Sequence, residues 1–546
     1  MTPRSRHIVI SALLIGAGFL LSKFTGILDD LILARVIGLG RELDAYYAAF
    51  GLPDLLFTLV SGGALASAFI PVLSGVLSRD HAARDRLASW RLVSAVANLA
   101  FLTTLVFAVG LALFAPWVAD RLYGCHLDSV QRCLDDGRGF TSEQVALTAD
   151  LMRLILASTA IFSVSAIVMS TLQAHQHFFL TALAPILYNL GILLGVIALA
   201  PSMGVWGAAI GVVLGALLHL LVQVPGLVRR GARWLPYLGL RDPDLRRVLA
   251  LLAPRVGTLG TVYLAAILRD SLASQFSPGS VTALNYGWRV MQLPETVIAT
   301  AVATAIFPTL SELAAAGRRD ELRATISSTL RTILALTVPA TVGLLILGRP
   351  FVQVMFEGGL FGSAATDAVV WALHGYAIGL IGHSLLEVSA RAFYAQQDTR
   401  TPLFVAVAAM LINVAASLIL RESLGVTGLA LGNSLGVSVE VLMLLVVARR
   451  RLHGVDERRI VAALVRFLAG SLIMAAAVWA SQSIFPSLAL PDSLPLGDAL
   501  RSAIKIGVPL LVAGVVGVIA YVLAASAVGS EEVRALPRLI LRRRAA

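Results

Sequence analysis

The chain has 546 residues, 58% hydrophobic and 14% charged, with a mean hydropathy of +0.85. Soluble domains are about 45–50% apolar and about 25% charged, so the composition excludes an ordinary globular enzyme, a disordered chain and a nucleic-acid binder, despite a net charge of +11. That charge is nearly all arginine, with Lys23 and Lys505 the only lysines, as expected for loops that hold membrane helices in place by the positive-inside rule.

A helix spans a bilayer with about 20 mostly apolar residues. Hydropathy predicts fourteen such helices, over 8–34, 46–77, 90–120, 145–172, 178–200, 204–228, 245–273, 281–312, 324–348, 365–394, 402–420, 425–448, 460–484 and 500–526. No small-residue cleavage site leads into a soluble domain after the first, so it is read as a spanning helix and not a signal peptide. An even number of crossings puts both termini on one side. Loops carrying Arg79, Arg84 and Arg86, then Arg229, Arg230 and Arg233, then Arg318, Arg319 and Arg323, then Arg449, Arg450 and Arg451 alternate with arginine-poor loops at 201–203, 274–280, 357–366 and 485–499. The asymmetry places both termini in the cytoplasm and the 121–144 loop outside. That loop holds both cysteines, Cys125 and Cys133, as candidates for a disulfide; the alternative is two unpaired thiols.

The chain repeats itself. Ile27-Leu28-Asp29-Asp30 resembles Ile267-Leu268-Arg269-Asp270, Leu52-Pro53-Asp54 resembles Leu293-Pro294-Glu295, and Phe69-Ile70-Pro71 resembles Ile306-Phe307-Pro308. Gln173 and Asn189 have the same spacing as Gln397 and Asn413, at an offset of 224, and the glycine run from Gly204 matches the run from Gly425, at an offset of 221. Each repeat holds six helices, an even number, so both halves enter the membrane in the same direction. The expected fold is an all-α polytopic membrane protein: two parallel six-helix lobes, 1–230 and 231–450, around a central cavity, with two further helices and a basic tail over 451–546.

Ionisable groups inside a span cost at least about 2.5–3.5 kcal/mol and normally face a wet cavity or a partner. They concentrate on the opening helices of each repeat: Lys23, Asp29 and Asp30 on the first, Asp54 on the second, Arg255, Arg269 and Asp270 on the seventh, and Arg289 and Glu295 on the eighth. One reading is a charged cavity for an anionic substrate, with Lys23, Arg269 and Arg289 as its cations. The other is that the charges pair locally and lock the lobes, which fits Asp30 and Asp270 equally well and fits Glu440, His219 and Arg466 better. Pro53, Pro294 and the first helix's glycines permit bending, while the Gly204 and Gly425 runs suit close helix packing. No Walker-type loop, nucleophile–histidine pair or metal-ligand set is legible, so neither a catalytic site nor a cofactor is expected.

Three stretches then carry a resemblance. Asp44-Ala45-Tyr46-Tyr47-Ala48-Ala49-Phe50-Gly51-Leu52-Pro53, Asn285-Tyr286-Gly287-Trp288-Arg289-Val290-Met291-Gln292-Leu293-Pro294 and, most sharply, Arg391-Ala392-Phe393-Tyr394-Ala395-Gln396-Gln397-Asp398-Thr399-Arg400-Thr401-Pro402 resemble the MurJ (MviN) lipid II flippases of the multidrug/oligosaccharidyl-lipid/polysaccharide exporter superfamily. The likeness implies a flippase of the bacterial inner membrane. It would carry undecaprenyl-linked peptidoglycan precursor to the outer leaflet by alternating access, among membrane lipids and other cell-wall synthesis proteins. It adds Ser22 and Asp44 to the cavity candidates and supports Asp30 and Arg289. Lys23 stands where the family has arginine, keeping the charge without the bidentate fork. Asp29 also replaces a family arginine, while Arg269 occupies a usually polar or acidic position, which suggests a charge swap between repeat partners. Sodium binds the second lobe of some members; Asn413 could contribute here, but Ser417 stands where an acid would help. Coupling to a monovalent cation or to the membrane potential therefore stays open. The alternatives are a flippase for another polyprenyl-linked oligosaccharide, a cation or drug antiporter, which would need a net acidic cavity, and a non-transporting scaffold.

Overall fold

A computed structural model describes residues 3–60, 63–83, 87–125, 139–452, 454–485, 498–530 and 532–534. The helices are α1 (Pro3–Ile37), α2 (Arg41–Val60), α3 (Gly63–Ala83), α4 (Leu87–Tyr123), α5 (Ser142–Ala174), α6 (Phe178–Leu194) and α7 (Val205–Leu221). They continue with α8 (Pro243–Ala273), α9 (Ser280–Glu295), α10 (Ala301–Ala315), α11 (Arg319–Phe356), α12 (Ser363–Ala395), α13 (Arg400–Leu452), α14 (Glu457–Ile484) and α15 (Asp498–Ala527). Among the described residues the only β pairing is the isolated bridge between Gly124 and Phe140.

Eleven described segments are long and apolar enough to cross a membrane. One of them, α13, covers two predicted spans and leaves helical geometry at Gly425 (φ 55°, ψ −132°). The predicted spans 8–34 and 245–273, in α1 and α8, are not among the eleven; α8 carries Asp244, Arg246, Arg247, Arg255, Arg269 and Asp270. Large apolar side chains such as Phe404, Ile419, Leu472, Trp479, Leu511 and Leu523 are exposed. Water would not tolerate so much uncovered apolar surface, whereas lipid does; this is a multi-pass membrane protein.

The chain forms two compact units: Met1–Val281 with Gly359–Phe361, and Thr282–Gly358 with Gly362–Ala546. The cut at 230/231 follows the sequence repeat, and the compact units follow packing, because α8 lies against α2, α3 and α4. In unit 1 the core gathers Phe69, Leu73, Trp90 and Leu92 with Ile167 and Val248. In unit 2 one cluster joins Leu310, Ile326, Leu330 and Val388, and another joins Val338, Phe467, Met474 and Tyr521.

Backbone geometry in each unit sets the register of the repeat. Gln176 (φ 58°) and Gln397 (φ 60°) are both left-handed, an offset of 221. The bonds around them correspond: His177 N donates to Leu172 O at 2.9 Å and Asp398 N to Phe393 O at 3.0 Å. Gly204 (φ 58°) and Gly425 (φ 55°) keep the same offset. The pairing of Gln173 with Gln397 at 224 is thus corrected by three residues, because the left-handed turn residue, not the glutamine nearest in spacing, is the structural equivalent. Asn189 and Asn413 are consequently not counterparts.

Small residues draw the helices together at that register. A Cβ on Gly211 of α7 would lie 2.9 Å from Ile192 O, and one on Gly432 would lie 2.8 Å from Ser417 N. Such close backbone approach is the packing mode of small-residue seams in membranes.

Candidate functional site

The candidate residues of unit 1 fall into three local settings. The first is on α1. Asn189 of α6 donates from Nδ2 to Ser22 O at 2.7 Å and to Thr25 Oγ1 at 2.8 Å. Ser22 is therefore held through its carbonyl, and Asn189, which the sequence marked only as a repeat residue, is a positioning residue. Lys23, next along, is exposed, while Asp29 and Asp30 are buried.

The second setting joins α1, α2 and the turn before α9. Tyr47 donates its hydroxyl to Asp30 Oδ1 at 3.2 Å. Asp44 is 2% exposed, and its Oδ2 accepts from Gly279 N at 2.6 Å. A carboxylate on a backbone amide is a charge-assisted bond, and here it fixes the left-handed Gly279 (φ 94°). Asp44 thus anchors a turn. Asp54 is exposed, close to Thr58 and Tyr263.

The third setting is the end of α8. Arg269 donates from Nε to Asp270 Oδ1 at 2.9 Å, and its Nη2 lies 2.8 Å from the same oxygen. The arginine's charge is thus shared with its sequence neighbour. The end of α4 is tied to the same helix: Ser274 Oγ donates to Tyr123 O at 3.1 Å, and Gln275 Nε2 to Gly124 O at 3.1 Å. Tyr123 itself donates to Ala48 O at 3.0 Å. Beyond it, Cys125 is disulfide-bonded. Cys133, the chain's other cysteine, lies outside the described residues, as does the side chain of Arg255.

Arg289 belongs to unit 2, on α9, and is exposed. The same helix lines a cavity of about 630 Å³ with α11 and α15; Val290, Pro294, Leu344, Phe351, Leu511 and Val515 are among its walls. Every side chain around it is apolar, so it accepts hydrocarbon and offers no hydrogen bond to a polar ligand. Also in unit 2, Ser417 Oγ donates to Asn413 Oδ1 at 3.2 Å.

The 391–402 stretch is a turn built around Asp398. The Asp398 carboxylate accepts from Arg400 N and Thr401 N, both at 3.0 Å, from Thr401 Oγ1 at 2.6 Å, and from Arg451 Nη1 at 2.5 Å. Burial alone would push its pKa up, but the Thr401 and Arg451 bonds outweigh it and hold it down at about 2. The stretch that most sharply carries the resemblance therefore caps α13 and ties its two ends together.

The chain matches the family model for lipid II flippase MurJ over residues 33–497. It is 30% identical over 451 residues to the lipid II flippase MurJ of Burkholderia cenocepacia, covering 81% of this chain and 84% of that one. It is 27% identical to a probable lipid II flippase MurJ of Vibrio cholerae, covering 81% and 82%. Among solved structures, a lipid II flippase MurJ in an inward closed conformation aligns with a TM-score of 0.74 at 21% identity, covering 94% of this chain and 98% of that one. An inward-facing multidrug resistance transporter of the MATE family, in the MOP superfamily, aligns with a TM-score of 0.62 at 18% identity, covering 80% and 96%. Both structural likenesses are likenesses of fold.

Proposed function

We propose, from the premise that this chain belongs to the MurJ lipid II flippase family, that it moves undecaprenyl-pyrophosphate-linked peptidoglycan precursor from the inner to the outer leaflet of the bacterial inner membrane. The observation that carries this reading is the family match over residues 33–497. The fourteen-span topology with both termini cytoplasmic is part of the proposal, supported by the alternation of arginine-rich and arginine-poor loops.

The physical task is to move a polar head through hydrocarbon. A pyrophosphate and a sugar–peptide group cannot shed their water without replacement partners. Lys23, Arg255, Arg269 and Arg289 are the proposed partners of the pyrophosphate through charge-assisted hydrogen bonds. Ser22, Asp29, Asp30, Asp54 and Asp270 set the charge and position of those cations, and Asp44 fixes the turn before α9. The polyprenyl tail meets only apolar walls in the cavity lined by α9, α11 and α15, which supports that cavity as the tail's place. Inward- and outward-facing states exchange by rocking of the two repeats. The membrane potential biases the exchange at about 2.3 kcal/mol per charge per 100 mV.

Reconstitution into vesicles loaded with lipid II tests the proposal. Protein-dependent appearance of the head group in the opposite leaflet, read by an impermeant enzyme or label, is the expected result. Vesicles in which the head group stays on its original side would overturn it, as would failure to sustain growth of a strain depleted of its own lipid II flippase.

A further inference from the structure

A second cavity of unit 2, this one polar, lies far along the helices from the apolar one. It measures about 610 Å³ and is lined by Arg323 of α11, Val446, Arg449 and Arg450 of α13, Gly454 of the following turn, and Glu457 of α14. Its charges are unevenly committed. Arg323 pairs with Asp456, and Arg449 Nε lies 2.9 Å from Glu457 Oε1. Arg450 is exposed and makes no ion pair among the described residues. Three guanidinium groups line the cavity; Glu457 on its wall and Asp456, the partner of Arg323, supply two carboxylates, which leaves an excess of one positive charge. The Arg449–Glu457 pair is solvent-exposed, and exposed pairs bind weakly, so Arg449 is free to turn toward a stronger anion.

The floor of the cavity is shaped by a glycine. Gly454 has φ 123°, and a Cβ there would sit 3.3 Å from the Arg323 guanidinium carbon. The arginine plane thus lies directly against backbone, where a side chain would cover it.

The rim is apolar. On α13, Leu435, Leu442 and Val446 are exposed at spacings of seven and four residues, one face of a helix. On α14, Val461, Val465 and Leu472 are exposed at spacings of four and seven. Both stripes begin beside the arginines and run into the membrane-spanning part of their helices. We infer that this cavity binds the phosphodiester headgroup of an anionic membrane phospholipid, of the phosphatidylglycerol type, with its acyl chains on the two stripes. The headgroup's single negative charge matches the single uncompensated cation, and planar guanidinium forks suit phosphate oxygens. A basic pocket at the arginine-rich end of membrane helices is where such headgroups are held. A free phosphate ion would leave the stripes unused.

The test uses the full chain purified in a neutral detergent, with thermal unfolding as the readout. Short-chain phosphatidylglycerol, short-chain phosphatidylcholine and inorganic phosphate are titrated separately. Phosphatidylglycerol is expected to raise the unfolding temperature saturably, and the other two are not. Arg450→Glu should weaken the apparent affinity about tenfold or more, the loss of one charge-assisted bond. Glu457→Gln should tighten it, because it removes a competing carboxylate and releases Arg449. Should Arg450→Glu fail to fold, Arg450→Gln reads the same loss. Equal affinity for phosphatidylglycerol in the wild type and both variants overturns the inference, and so does an equal response to phosphatidylcholine or to inorganic phosphate.

Discussion

The two units share a backbone pattern and differ in what they bury. Gln176 and Gln397 turn the chain with the same left-handed geometry, and Gly204 and Gly425 break it with the same angles. The carboxylates do not follow that likeness. Among the described residues, the buried ones are Asp29, Asp30, Asp44, Asp80 and Asp270, all in unit 1. Both units bury serines and threonines, such as Ser163 and Thr104 in unit 1 and Ser384 and Thr337 in unit 2. Turns and seams, which any membrane helix pair needs, thus recur in both units, while buried carboxylates gather in unit 1, which holds both members of the repeat pair Asp30 and Asp270. A buried carboxylate needs a specific partner: Asp30 has Tyr47, Asp44 has Gly279 N, and Asp270 has Arg269.

The largest effect should come from breaking one of those partnerships. Arg269 and Asp270 are both mostly buried, with side chains 15% and 9% exposed. Removing one member of a buried pair strands the other and costs about 3–5 kcal/mol. Arg269→Ala should therefore lower the unfolding temperature and the yield of folded protein. Arg269→Ala/Asp270→Asn should recover most of that stability. Transport separates the two roles proposed for Arg269. If it holds pyrophosphate, the double variant folds and still fails to flip; a double variant that flips at the wild-type rate removes Arg269 from the substrate site.

The seams should be next in size, and equal in the two units. A Cβ on Gly211 or on Gly432 meets backbone atoms inside 3 Å, and overpacking of this kind costs about 1–3 kcal/mol. Gly211→Ala and Gly432→Ala should lower stability by comparable amounts in thermal unfolding. A large loss at one position and none at the other would show that the two seams are not equivalent.

What the sequence made legible divides along the same line. Helices occupy the predicted spans because apolar runs of bilayer length have no other way to satisfy their backbone. The glycine runs were legible because only a residue without a side chain tolerates the angles of Gly204 and Gly425. The register at Gln176 was not legible, since a left-handed non-glycine residue leaves no composition signal. The Asp44–Gly279 bond joins residues 235 apart in the chain, a contact that no local pattern encodes. The Arg269–Asp270 pair was visible as adjacent opposite charges, but adjacency alone did not choose between a substrate ligand and a local pair.

The two matched turns sharpen the comparison with smaller effects. Asp398 caps α13 with two backbone amides and holds Arg451, so Asp398→Ala should cost about 1 kcal/mol, a typical capping loss. Its pKa is held down at about 2, below the ordinary value of about 3.9. A depressed carboxylate stabilises the fold above the ordinary value and loses that contribution as pH falls through the folded value. The stability difference between wild type and Asp398→Asn should thus be constant above pH about 5 and narrow toward pH about 2. A difference that does not change over that range would remove the charged form from the account.

His177 occupies the equivalent position in unit 1, and its side chain makes no capping bond. Burial and then the nearby charges of Arg230 and Arg229 push its pKa below the ordinary histidine value. The unfolded chain therefore takes up a proton first as pH falls, so stability declines from about pH 6.5 downward and is unaffected above it. His177→Gln should remove that part of the slope and leave stability at pH 8 unchanged, a small effect visible only as a difference between the two pH profiles. Arg230→Gln should shrink the slope without abolishing it, because burial contributes before either arginine does. Parallel profiles for wild type and His177→Gln between pH 7 and 5 would mean that the unit 1 turn carries no charge dependence. The contrast with the Asp398 turn would then rest on capping alone.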